Sequence, residues 1–126
     1  MSTRVLVVDD EASIQRLLQV CLEYLGCTVD IAVNGKDALA KLARAAYHGV
    51  ILDLTMPGGM DGLAVLRSIR QSHPRLPVVM MSGQPADEVV PAAMAAGAQS
   101  CLLKPFDISQ LERTVKAWIA SARNAA

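Results

Sequence analysis

The chain has 126 residues, 52% of them hydrophobic, which suits one domain with a single core that needs no disulfide or metal staple. Twelve Lys and Arg balance twelve Asp and Glu. There is thus neither the basic excess of a nonspecific nucleic-acid binder nor an acidic tail. Cys21, Cys27 and Cys101 have neither framework spacing nor zinc-ligand spacing, and are read as reduced thiols, two or three of them buried. The start, MSTRVLVVDD, lacks a signal-peptide layout, and no apolar run exceeds strand length. No membrane span is expected, and the default location is the cytoplasm.

Val5 to Val8 is a continuous apolar run, the first predicted strand. Ile14, Leu17, Leu18, Cys21, Leu22 and Leu25 follow with helical spacing. Thr28 to Val33 reads as the second strand, and Asn34 as the cap of a helix carrying Leu39, Leu42 and Tyr47. Val50 to Leu54 is the third strand. Asp61 caps a helix with Leu63, Leu66 and Ile69, stopped before Pro74. Pro77 to Met81 is the fourth strand. The fourth helix falls within PADEVVPAAMAAG, where Pro91 predicts a short or kinked element, for which a start near Val90 is one form. Gln99 to Leu103 is the fifth strand. Asp107 and Gln110 resemble a capping box opening a last helix with the stripe Ile108, Leu111, Val115, Trp118 and Ile119. Five strand–helix units in a row, with continuously apolar strands, predict a parallel sheet covered on both faces. The whole span 1–126 reads as one domain.

Ligands of such sheets bind beyond the carboxyl ends of the strands. The first strand ends in Asp9 and Asp10, the third in Asp53, the fourth in Ser82 and the fifth in Lys104. Crowded carboxylates repel unless a cation joins them, and an all-oxygen ligand set suits a hard cation such as magnesium. Lys104 is a natural partner for Asp53 or for a phosphoryl group on it, and Ser82 can donate a hydrogen bond to a phosphoryl oxygen. A carboxylate can itself be a nucleophile, giving an aspartyl phosphate. His48 and His73 have no such convergence and are read as surface residues. The glycines of MPGGMDG do not complete a dinucleotide fingerprint.

The stretches VLVVDDE, VILDLTMPGGMDGLAVL, VVMMSG and GAQSCLLKPF resemble, in order and at suitable spacing, the response-regulator receiver domains. The resemblance implies a flavodoxin-like doubly wound sheet of order 2-1-3-4-5 with five helices. It implies that Asp53 is phosphorylated, as 4-aspartylphosphate, by a sensor histidine kinase or histidine phosphotransfer protein. Asp9, Asp10, Asp53 and the carbonyl of Thr55 would hold Mg2+. Ser82 matches the hydroxyl that moves to the phosphoryl group, and Lys104 the lysine that contacts it. Pro105 matches a proline whose preceding peptide bond is usually cis. The family is regulatory, catalysing only its own phosphorylation and dephosphorylation. Its output goes to a downstream protein or domain, with a homodimer through the fourth-helix, fifth-strand and fifth-helix face as one form. No direct nucleic-acid or membrane contact is implied.

Three features depart from the family pattern. Cys101 stands where the family usually has Tyr, Phe or His. Gly58 and Gly59 lengthen the loop after Asp53. Pro91 falls in the fourth helix. The first and third motivate a second reading, an interaction module that does not depend on phosphorylation. A third, a phosphatase with an aspartate nucleophile, needs a substrate cap for which 126 residues leave little room.

Overall fold

The computed structural model describes residues 3–54, 61–83, 86–104 and 107–124. The elements run β1 (Arg4–Val8), α1 (Ala12–Tyr24), β2 (Thr28–Ala32), α2 (Gly35–Arg44), β3 (Gly49–Asp53), α3 (Gly62–Ser72), β4 (Val78–Ser82), α4 (Ala86–Ala95), β5 (Ser100–Leu103) and α5 (Ile108–Asn124). The strands form one parallel sheet in the order β2-β1-β3-β4-β5.

Period-two alternation divides the core between the faces. Leu6, Val8, Val50, Leu52, Val78 and Met80 point to one side and pack with Leu42, Val65, Leu66, Ile69 and Ala93 of α2, α3 and α4. Val5, Val7, Ile51, Val79 and Met81 point to the other and pack with Leu18, Leu22, Leu111, Val115 and Trp118 of α1 and α5. Because β1, β3 and β4 are covered on both faces, their runs are apolar without interruption.

The helix starts follow their caps. Asn34 Oδ1 accepts from the Asp37 amide at 2.8 Å, and Asp61 Oδ1 from the Ala64 amide at 2.8 Å. Asp107 Oδ1 accepts from the Ser109 amide at 3.0 Å. The reciprocal bond of a capping box, from the Gln110 side chain, is not formed among the described residues. Gly97, with φ +103°, ends α4 in the left-handed region, where its amide and that of Ala98 reach back to the Met94 and Ala93 carbonyls.

Several expectations need correction. The fourth helix does not begin near Val90. It runs Ala86–Ala95 with Pro91 inside it. An interior proline removes one helical hydrogen bond and costs about 3 kcal/mol. Ala92, Ala93 and Ala95 are strong helix formers, and Ala93 is fully buried against the sheet, which offsets that loss. Leu17 lies outside the buried stripe of α1 and is 44% exposed, beside exposed Val20 and Tyr24. Cys27 is buried, but Cys21 and Cys101 are only half-buried, and all three are free thiols. His48 and His73 are half-buried rather than on the surface. Thr55, the Gly58–Gly59 loop and the Pro105 peptide bond lie outside the described residues.

Candidate functional site

The expected carboxyl-edge residues do converge. Asp9 follows β1, Asp53 ends β3, Ser82 ends β4 and Lys104 follows β5. Asp9, Asp53 and Ser82 are buried, whereas Asp10 is exposed. Carboxylate oxygens of Asp9, Asp10 and Asp53 lie within 4.8 Å of one another. The Lys104 amino group lies 3.5 Å from Asp53 Oδ1 and 4.0 Å from Asp9 Oδ2, bridging the two buried acids. Its own backbone holds it there, since the Lys104 amide donates to the Ser82 carbonyl at 2.6 Å. That bond extends the β4–β5 ladder by one residue and fixes the lysine beside the Ser82 end of β4.

Asp9 is tied down from three directions. Its amide donates to the Ala32 carbonyl at 3.1 Å. Its Oδ1 accepts from the Glu11 amide at 2.9 Å, and its carbonyl accepts from the Gln15 side chain at 2.6 Å. Its Oδ2 is buried without a hydrogen bond. Burial pushes the Asp9 carboxyl above the ordinary carboxylate range, and repulsion from Asp53 adds to this. The Glu11 amide and the Lys104 charge oppose the shift. A buried carboxylate oxygen without a donor costs stability unless a cation joins it.

This donor set suits a divalent ion. Three carboxylates offer oxygen at close range, one of them is exposed toward solvent, and one buried lone-pair site is unsatisfied. Hard cations bind such oxygens, and magnesium in particular keeps waters and pairs with one or two carboxylates and a phosphate.

Sequence reasoning missed the supports of this site. Gly62, which opens α3, is one. A Cβ there would stand 2.6 Å from the Asp53 carbonyl oxygen and 2.6 Å from the Leu54 Cα, so only glycine lets α3 start against the end of β3. Its amide donates to the Leu54 carbonyl at 2.9 Å. The glycine of MDG was the available signal. Gln15, one helical turn into α1, carried none.

The five-stranded parallel sheet thus gathers acids at the ends of β1 and β3 and a lysine beyond β5 on one edge. The family model for the response regulator receiver domain matches residues 5–116, and the chain belongs to that family. It is 40% identical over 122 residues to the transcriptional regulatory protein ResD of Bacillus subtilis, covering 95% of this chain and 49% of ResD. The solved receiver domain of NtrX from Brucella abortus superposes with a TM-score of 0.85 at 36% identity, covering 92% of this chain and 98% of that one. The chemotaxis protein CheY4 of Vibrio cholerae, solved at low pH, superposes with a TM-score of 0.86 at 30% identity, covering 93% and 98%. The chain spans about half, or less, of the length of the first curated relatives it matches. Among the described residues no helix is long and apolar enough to cross a membrane.

Proposed function

We propose that the chain, read as one receiver domain over 1–126, is a magnesium-dependent phosphorylation switch whose acceptor is Asp53. The observation that carries this reading is the placement of buried Asp53 between two further acids and the Lys104 amino group, 3.5 Å away. An Asp53 carboxylate oxygen attacks the phosphorus of a phosphohistidine on a sensor kinase or phosphotransfer protein. The P–N bond breaks, the electron pair leaves on the imidazole, and an aspartyl phosphate forms. Lys104 neutralises charge on the transferred group and holds it in line. Ser82 donates a hydrogen bond to a phosphoryl oxygen and so couples β4 to the modified state. Asp9, Asp10 and Asp53, with the Thr55 carbonyl by family resemblance, would hold Mg2+, which when bound offsets the charge of the carboxylates and of the phosphoryl oxygens.

The output follows β4 into α4 and β5. Cys101 pairs in register with Met80 and packs against the core face shared with α4, at the position where the family usually has an aromatic residue. Signal transfer in this chain therefore rests on Ser82 and the β4–β5 ladder rather than on a swinging ring. The partner would be a downstream protein or domain, and two copies pairing through α4, β5 and α5 would use the same face. A cytoplasmic location is part of this reading.

Labelling with a small phosphoryl donor tests it. Wild-type protein is expected to label only with magnesium present, and Asp53→Asn to lose the label. Equal labelling of Asp53→Asn would assign the acceptor elsewhere.

A further inference from the structure

At the amino edge of the sheet, opposite the acids, a cleft of about 570 Å3 opens beneath the end of α5. His48, Pro77 and Gln99 each immediately precede one of the adjacent strands β3, β4 and β5, and all three line it, with Arg75, Trp118 and Ser121. Its volume is in the range of small-molecule sites.

The cleft is built around one close approach. A Cβ on Gly49 would stand 2.3 Å from the Trp118 ring, so the bare glycine at the start of β3 lets the indole lie on the strand. The buried indole then donates from Nε1 to Gln99 Oε1 at 3.0 Å. An indole N–H can only donate, so the Gln99 oxygen must face it, and the Gln99 NH2 group remains for other partners. The same selection acts on His48. Its Nδ1 accepts from the Arg4 amide at 3.0 Å, while its own amide donates to the Arg4 carbonyl at 2.8 Å. With Nδ1 accepting, the imidazole proton sits on Nε2, which is a donor. The Arg75 guanidinium is exposed and has no hydrogen-bond or ion-pair partner among the described residues. Among the described residues no carboxylate lines the cleft.

Two acceptors of this lining are thus consumed inside the fold. The cleft offers the donors of Gln99, His48 and Arg75, and the Ser121 hydroxyl. A cation finds little to bind there, whereas an oxyanion meets several donors, one of them carrying a full charge. The carbonyl end of α5 opposes an anion, but with only about half a unit charge. We propose that this cleft binds a small free oxyanion, a carboxylate or phosphate group on a compact molecule, independently of phosphorylation at the other edge.

Trp118 is the chain's sole tryptophan, so its fluorescence reports on this cleft and the core it packs against. Magnesium-free protein would be titrated with citrate and, separately, with pyrophosphate, against chloride at matched ionic strength. A saturable change with Kd of about 1 mM or tighter is expected for at least one probe. A response to citrate only assigns a carboxylate ligand, a response to pyrophosphate only a phosphate, and both a general oxyanion site. Arg75→Ala, an exposed position whose loss leaves the core intact, is expected to weaken binding about tenfold or more, and Arg67→Ala on exposed α3 surface to leave it unchanged. No saturable response to either probe, or an equal response in Arg75→Ala, would overturn the proposal.

Discussion

At the carboxyl edge of the sheet, Asp9, Asp10 and Asp53 crowd acceptors around Lys104, and one buried oxygen has no donor. At the amino edge, His48 and Gln99 have acceptors satisfied by Arg4 and Trp118, and Arg75 adds donors. One end of the sheet has surplus negative lone pairs, the other surplus N–H groups. The difference shows where stability has been given up. The buried Asp9 oxygen without a donor costs folding stability, whereas at the amino edge the His48 and Gln99 acceptors are satisfied and support the core.

The sharpest way to break the amino edge is Gly49→Val. The added side chain collides with the seated indole of Trp118. A loss of about 3 kcal/mol in stability is expected, read from urea unfolding. An unchanged urea midpoint would mean that the indole does not rest on β3.

The carboxyl edge should respond in the opposite sense. Asp9→Asn removes a buried charge whose ionised form is penalised, and the metal-free protein is expected to gain about 1–2 kcal/mol. The sign with pH follows from the raised carboxyl. Between its ordinary value and its folded-state value, the folded chain binds more protons than the unfolded one, so stability falls as pH rises. Metal-free wild type should therefore gain stability relative to Asp9→Asn as neutral solution is made mildly acidic. Parallel urea curves at two pH values check this, and a constant gap between the two proteins would contradict it.

A smaller effect calibrates both. Asp37, in the first turn of α2 and outside the acid cluster, bonds the Lys41 amino group at 2.8 Å and accepts from the Val33 amide at 3.1 Å. The Lys41 bond is the main cause that holds its carboxyl below the ordinary range. Its contribution is present at neutral pH and is lost as pH falls through the folded-state value. Asp37→Asn is expected to cost only about 0.5 kcal/mol, because the pair is partly exposed. Thermal melts at neutral pH and in acid measure it. A loss as large as that of Gly49→Val would make the α2 cap, not the edges, the sensitive region.

Much of the carboxyl edge was legible in the sequence, because a parallel strand is an uninterrupted apolar run and its end is marked by the first polar residue. Asp9, Asp53, Ser82 and Lys104 could be read that way. The unsatisfied Asp9 Oδ2 could not, since it depends on which oxygen the Glu11 amide occupies. The amino edge was nearly invisible. Histidine before a strand looks like loop chemistry until Arg4, 44 residues away in sequence, is seen to donate to its ring. Pro91 misled for a related reason, because a local penalty was weighed without the tertiary burial of Ala93. Leu17 misled because helical spacing marks a stripe without saying how wide the covered face is.

Completion of the acid cluster by a cation can be read from a magnesium titration of thermal stability. Saturable stabilisation of the wild type is expected, reaching about 2.7 kcal/mol at a hundredfold excess over Kd, with most of the response lost in Asp9→Asn. A wild-type midpoint that does not move with magnesium, or one that moves equally in Asp9→Asn, would contradict the account.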